Sequence, residues 1–90
     1  MKDIMKQLLY FKLAQCPYCR QADRWLEELM EENPEYRNIP IRTVFEDVEK
    51  DLADSYDYYL VPTFFCGDEK LHEGIATKEI IRNVLNFCIE

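Results

Sequence analysis

Apolar and polar positions follow two rhythms along this chain. Leu8-Leu9-Tyr10-Phe11-Lys12-Leu13 is almost continuously aliphatic and aromatic, which predicts a largely buried strand. Ala22, Trp25, Leu26, Leu29 and Met30 then recur at helical spacing behind Pro17. A proline suits the first helical position because the N–H it lacks has no partner there. Glu31-Glu32-Asn33-Pro34-Glu35 is a polar stop with a proline that the helix cannot pass.

The second half repeats the alternation and then breaks it. Ile39-Pro40-Ile41-Arg42-Thr43-Val44-Phe45 is rich in β-branched residues, with Pro40 at the entrance where a strand tolerates it, and predicts a second strand. Glu46 and Asp47 lead into a short helix over 48–55 with Val48 and Leu52 facing inward. After the aromatic connection Tyr56-Asp57-Tyr58-Tyr59-Leu60 comes a third strand, 61–66, then turn chemistry at Gly67-Asp68 and an antiparallel return over 70–73. Gly74 ends that strand. Thr77 is placed to cap a last helix whose stripe is Ile80, Ile81, Val84, Leu85, Cys88 and Ile89. The expected order, strand-helix-strand-helix-strand-strand-helix, implies an α/β fold: a mixed sheet of four strands flanked by three helices.

Composition narrows the classes without changing this picture. Residues 1–90 form one domain, and an apolar share of 48% with 13% aromatic is enough to build a core at this length. The formal charge of −7 argues against nucleic acid as a partner, since phosphate contacts need clustered Lys and Arg. No stretch approaches a membrane span, and the apolar run near the start is broken by Lys12 and lacks a small-residue cleavage site. A soluble, cytoplasmic monomer is expected, with no membrane partner. In a compartment that keeps thiols reduced, a close pair of cysteines points to catalysis rather than to a structural bridge.

That pair is Cys16-Pro17-Tyr18-Cys19, at the junction of the first strand and first helix. Two thiols one helical turn apart can close a disulfide and open it again. The Cys16 side chain is expected beside the free amides of the helix N-terminus, which together with the helix dipole favour a thiolate, the nucleophilic form. Cys16 is then the attacking sulfur. Cys19, facing inward, attacks the mixed disulfide that Cys16 forms and releases the reduced substrate.

With Cys16-Pro17-Tyr18-Cys19, Val61-Pro62 ahead of the third strand and Gly74 ahead of the last helix, the chain resembles the glutaredoxins over nearly its full length, and more broadly the small proteins of thioredoxin-like fold. The resemblance implies a thiol-disulfide oxidoreductase acting on protein disulfides or glutathione mixed disulfides, with glutathione as reductant and no bound cofactor or metal. It implies that Pro62 is cis, that the backbone of Val61 pairs with a bound peptide or glutathione, and that Tyr18 lines the same groove. Gly74 and Thr77 fall where the family holds the γ-glutamyl end of glutathione. Lys12 lies near the family's lysine, as a cation for the Cys16 thiolate or for a glutathione carboxylate.

Departures are specific. Gly74-Ile75-Ala76-Thr77-Lys78 lacks the acid that glutaredoxins carry there, and Leu60 stands where a threonine commonly precedes Val-Pro. Pro62-Thr63 and the segment after Gly74 look like thioredoxin. Gln15, however, replaces the tryptophan that thioredoxins carry before the first cysteine, and Tyr10 replaces their buried acid.

Rival functions are a thioredoxin-like protein reduced by a flavin-dependent reductase, a non-catalytic peptide-binding module, and a carrier of zinc or an iron–sulfur cluster. Zinc wants four ligands, whereas Cys66, Cys88 and His72 are scattered singly, and the intact Pro17-Tyr18 pair weighs against a shared cluster. Cys66 and Cys88 read as small core hydrophobes, Trp25 as core packing, His72 as a strand residue without a proton-transfer role, and Glu27-Glu28 and Glu31-Glu32 as solvated helix surface. Tyr58 and Tyr59 are left between groove lining and packing.

Overall fold

The computed structural model describes residues 6–89. The elements run β1 (Leu8–Lys12), α1 (Pro17–Glu32), a 3-10 helix (Pro34–Asn38), β2 (Ile41–Phe45), α2 (Lys50–Asp54), β3 (Thr63–Cys66), β4 (Glu69–Glu73) and α3 (Lys78–Ile89). The four strands form one sheet in the order β2-β1-β3-β4. β1 pairs with β2 in parallel, Leu8 opposite Ile41, and with β3 antiparallel, Leu8 opposite Cys66. β3 and β4 form an antiparallel hairpin through Gly67, whose φ of 61° suits a residue without Cβ. This is the mixed sheet with helices on both faces that the apolar rhythm implies.

The period of two along the strands sorts the core into two layers. Leu8, Tyr10 and Phe64 point to the face covered by α1 and α3, where they meet Ala22, Leu26, Leu29, Ile81, Val84, Leu85 and Cys88. Leu9, Phe11, Val44 and Phe65 point to the other face, covered by Ala53 of α2 with Leu52, Tyr56, Tyr58 and Val61 packed alongside. Leu29, Ile81 and Leu85 have no exposed surface, and each such side chain contributes about 1.5–3 kcal/mol by leaving water. Trp25 packs against the first layer as expected, although its buried Nε1 has no hydrogen-bond partner among the described residues.

Four local readings are corrected. Val48 does not face inward: it is 76% exposed. The N–H groups of Val48 and Glu49 both donate to the Phe45 carbonyl, a turn that delays α2 to Lys50 and passes the buried position to Ala53. The polar stop after α1 is itself structured. Asn33 accepts from the Glu35 N–H and opens a 3-10 turn that buries Tyr36. Glu28 and Glu32 are not simply solvated, because both reach Lys78 of α3, and Arg82 lies 3.6 Å from Glu32. β3 begins after the Val61–Pro62 pair, which leaves those residues outside the strand ladder.

Candidate active site

The strand-to-helix junction puts the two thiols on different footings. Cys16 is the N-cap of α1, with extended backbone (φ −84°, ψ 119°), and Pro17 follows in the first turn. The Cys19 N–H donates to Cys16 Sγ at 3.3 Å, so the sulfur occupies the position where helix N-termini bind anions. Cys16 is partly exposed, whereas Cys19 is fully buried. Burial pushes the Cys19 thiol up to about 12; the Leu13 amide opposes this, the contact with Cys16 reinforces it, and the Lys12 charge lowers it again.

Beneath Cys19 lies a polar cluster that the sequence reading missed. The Tyr10 hydroxyl sits 2.7 Å from Asp23 Oδ1, to which it donates, and 3.1 Å from the Cys19 carbonyl. Lys12 Nζ donates to the other carboxylate oxygen of Asp23 at 2.6 Å and lies over the Tyr10 ring, 5.2 Å from its centroid. Burial and then Asp23 raise the Tyr10 phenol well above its ordinary range. Lys12, expected to serve the Cys16 thiolate or a glutathione carboxylate, is therefore engaged by Asp23. The signal was available, since Asp23 falls one helical turn after Cys19 and so on the same side of α1. No local rule, however, says what that side meets.

The Val61–Pro62 bond is cis, as the family resemblance implies, and the Val61 carbonyl lies 4.0 Å from Cys16 Sγ. The end of β4 clamps this segment. Glu73 accepts from the N–H groups of Tyr59 at 2.5 Å and Leu60 at 2.9 Å while pairing with Lys70 at 2.7 Å. The Lys70 contact first, then the two amides, hold the Glu73 carboxyl down to about 2. Thr63 Oγ1 donates to the Leu60 carbonyl, and the Gly74 N–H donates to the Pro62 carbonyl at 2.8 Å. Gly74 has φ 95°, and a Cβ there would stand 3.4 Å from the Leu60 side chain.

Thr77 caps α3 through its hydroxyl, which accepts from the Ile80 N–H at 3.1 Å. His72 bonds the Ile75 carbonyl at 2.8 Å. Tyr18, Tyr59, Leu60 and Ile75, each near Cys16 or the proline segment in sequence or next to the Gly74 turn, are exposed. Tyr58 instead turns inward, its ring tilted against Phe11 with centroids 4.8 Å apart and its hydroxyl donating to Glu46, so of the two adjacent tyrosines Tyr58 packs and Tyr59 is exposed.

A glutaredoxin family model matches residues 8–71, which span the thiol pair, the cis proline and most of the sheet. The chain belongs to the glutaredoxin family. Solved structures agree on a thioredoxin-like fold. A malarial protein is similar with a TM-score of 0.71 and 15% identity, over 97% of this chain and 100% of the other. A thioredoxin point mutant from Halobacterium salinarum gives 0.67 and 22%, over 93% and 74%. A thioredoxin-like protein from Clostridium perfringens gives 0.67 and 28%, over 97% and 73%. No curated protein matches the chain. No described helix is long and apolar enough to cross a membrane.

Proposed function

We propose that this glutaredoxin-family chain reduces glutathione mixed disulfides or protein disulfides through Cys16 and Cys19, with glutathione as its reductant. The observation that carries the proposal is one accessible sulfur at a helix N-cap, with the Val61 carbonyl 4.0 Å away and a buried second sulfur one turn along the helix. The Cys16 thiolate attacks one sulfur of the substrate disulfide and expels the other as a thiolate, which takes up a proton. Cys19 gives up its proton and attacks the Cys16 sulfur, releasing the second substrate thiol and closing the Cys16–Cys19 disulfide. One glutathione thiolate reopens that bond by forming a mixed disulfide, and a second removes it as oxidised glutathione. A substrate chain would run along Val61, with Tyr18 and Leu60 against its side chains. A compartment that keeps thiols reduced suits this cycle.

One observation favours a second reading, reduction by a flavin-dependent reductase. Lys78, just past the Gly74 turn, is engaged by Glu28 and Glu32, and the segment carries no acid for a γ-glutamyl amine before it. Turnover of a small glutathione mixed disulfide, measured separately with glutathione plus its reductase and with a thioredoxin reductase, distinguishes the two. The proposal expects turnover with glutathione, and Cys16→Ser at background. Turnover only with thioredoxin reductase overturns glutathione as donor; unchanged turnover in Cys16→Ser overturns the catalytic assignment itself.

A further inference from the structure

The two remaining cysteines, which the sequence reading treats as unrelated core fillers, come to the same end of the core in the folded chain. Cys66 is the last residue of β3, and strand alternation puts its side chain on the same face as Phe64, the face covered by α1 and α3. Directly across the ladder stands Leu8 of β1. Cys88 lies in the last turn of α3, fully buried in the cluster that contains Leu8 and Phe64. The Lys6 N–H donates to the Cys88 carbonyl at 3.0 Å, which joins that turn to the residues leading into β1. Register and packing thus bring the ends of β3 and α3 to the same end of the core, on either side of Leu8, with Cys66 close enough to act on the Cys88 thiol.

We propose that Cys66 and Cys88 form a second redox couple, a disulfide that closes the end of β3 onto the last turn of α3 when the chain meets a small disulfide such as oxidised glutathione. A cysteine that only fills a core needs apolar neighbours. These two lie at one end of the sheet, Cys88 buried and Cys66 partly open to solvent.

The difference in exposure orders the chemistry. Cys66, partly exposed, is the entry point. Its thiolate attacks one sulfur of oxidised glutathione, forming a mixed disulfide and releasing one glutathione thiolate. Burial, with the neighbouring Cys66 adding to it, pushes the Cys88 thiol up to about 11, while the Lys6 charge pulls the other way. Cys88 therefore stays a thiol until a sulfur with a good leaving group stands beside it. It then loses its proton to water, attacks the Cys66 sulfur and expels the second glutathione, so one oxidised glutathione becomes two reduced ones and two protein thiols become one disulfide.

The couple is separate from the active site. Cys66 lies opposite the first residue of β1 and Cys16 follows the loop after its last, about 13 Å further along the strand direction. Direct exchange between the two pairs within one molecule is closed by that distance. The proposal does not depend on Cys16 and Cys19 being catalytic.

The test uses the full-length chain carrying Cys16→Ser and Cys19→Ser, incubated with oxidised glutathione, then denatured, alkylated and read by mass spectrometry of the monomer fraction. The expected product has no alkylated cysteine, no glutathione adduct, and one peptide pair linked between Cys66 and Cys88. The unsubstituted chain keeps the result independent of how the double variant folds: all four cysteines should resist alkylation, against two if only the active-site pair oxidises. Adding Cys88→Ala should leave a single glutathione on Cys66, removed by dithiothreitol. Two free thiols at Cys66 and Cys88 under oxidant that fully oxidises Cys16 and Cys19, or a stable Cys66 adduct with Cys88 present, overturns the proposal.

Discussion

The ammonium of Lys12 lies 2.6 Å from the carboxylate of Asp23, a bond that ties the end of β1 to the turn of α1 just past Cys19. Lys12 is nearly covered while Asp23 is open, so the pair is partly screened. Its consequence is positional: the cation is held within electrostatic reach of the buried thiol, whose deprotonation it favours.

Replacing Lys12 with Met should therefore slow the step in which Cys19 displaces substrate from Cys16. Loss of roughly 1 kcal/mol of partly screened attraction corresponds to about a fivefold slower release. The first attack on substrate should change less, because Asp23 holds the charge on the Cys19 side. Stopped-flow rates for the two steps check this; an unchanged release rate with a slowed first attack would assign Lys12 to Cys16 instead.

Alkaline pH should weaken the reduced fold. Cys19, raised to about 12, and Cys88, raised to about 11, keep their protons in the native chain where the unfolded chain releases them near roughly 8.5. The native state then binds more protons, so their contribution is full below about pH 8.5 and is lost as pH climbs through 11 and 12. Urea midpoints of the reduced chain should hold between pH 7 and 8 and fall by pH 10.5. A midpoint that is flat across that range is inconsistent with two buried thiols.

Acid acts on a different part of the site. Glu73 is held down to about 2 by Lys70 and by the Tyr59 and Leu60 amides, so its grip on the loop is complete above roughly pH 4.3 and is lost as pH falls through 2. Glu73→Gln should release the loop at neutral pH. Amide hydrogen exchange at Tyr59 and Leu60 should rise several-fold, with KM for a peptide disulfide rising too, while exchange in α1 stays as it was. Unaltered exchange at both amides would mean that Thr63 and Gly74 suffice to hold the loop.

Gly74→Ala should lose about 1–3 kcal/mol, since an L side chain is strained at φ 95° and its Cβ would crowd Leu60. Because Gly74 also donates to the Pro62 carbonyl, activity should fall along with stability. Equilibrium unfolding in urea gives the first number and turnover the second. A variant as stable as the parent would show that the turn relaxes freely.

Much of this architecture is legible because it is local. The thiol pair, the proline behind the first cysteine and the Thr77 cap each act over one helical turn, and the strand and helix periods run within single elements, so residue order is enough to place them. The failure at Val48 is local as well: whether α2 starts at that residue depends on the Phe45 carbonyl, which takes two amides into a turn, and the pattern of apolar residues carries no record of that competition.

The contacts that give the site its character are of another kind. Asp23 with Lys12 and Glu73 with the amides of Tyr59 and Leu60 join residues on different elements, and each exists only because strand register and helix packing bring those elements to one place. Residue order alone established a dithiol at a strand-to-helix junction in a mixed sheet, since short-range sterics and hydrophobic period suffice for that. Which carboxylate holds Lys12, what holds the cis-proline loop, and that the two spare cysteines lie at one end of the core depended on long-range packing, where a side chain's neighbour is set by the path of the whole chain.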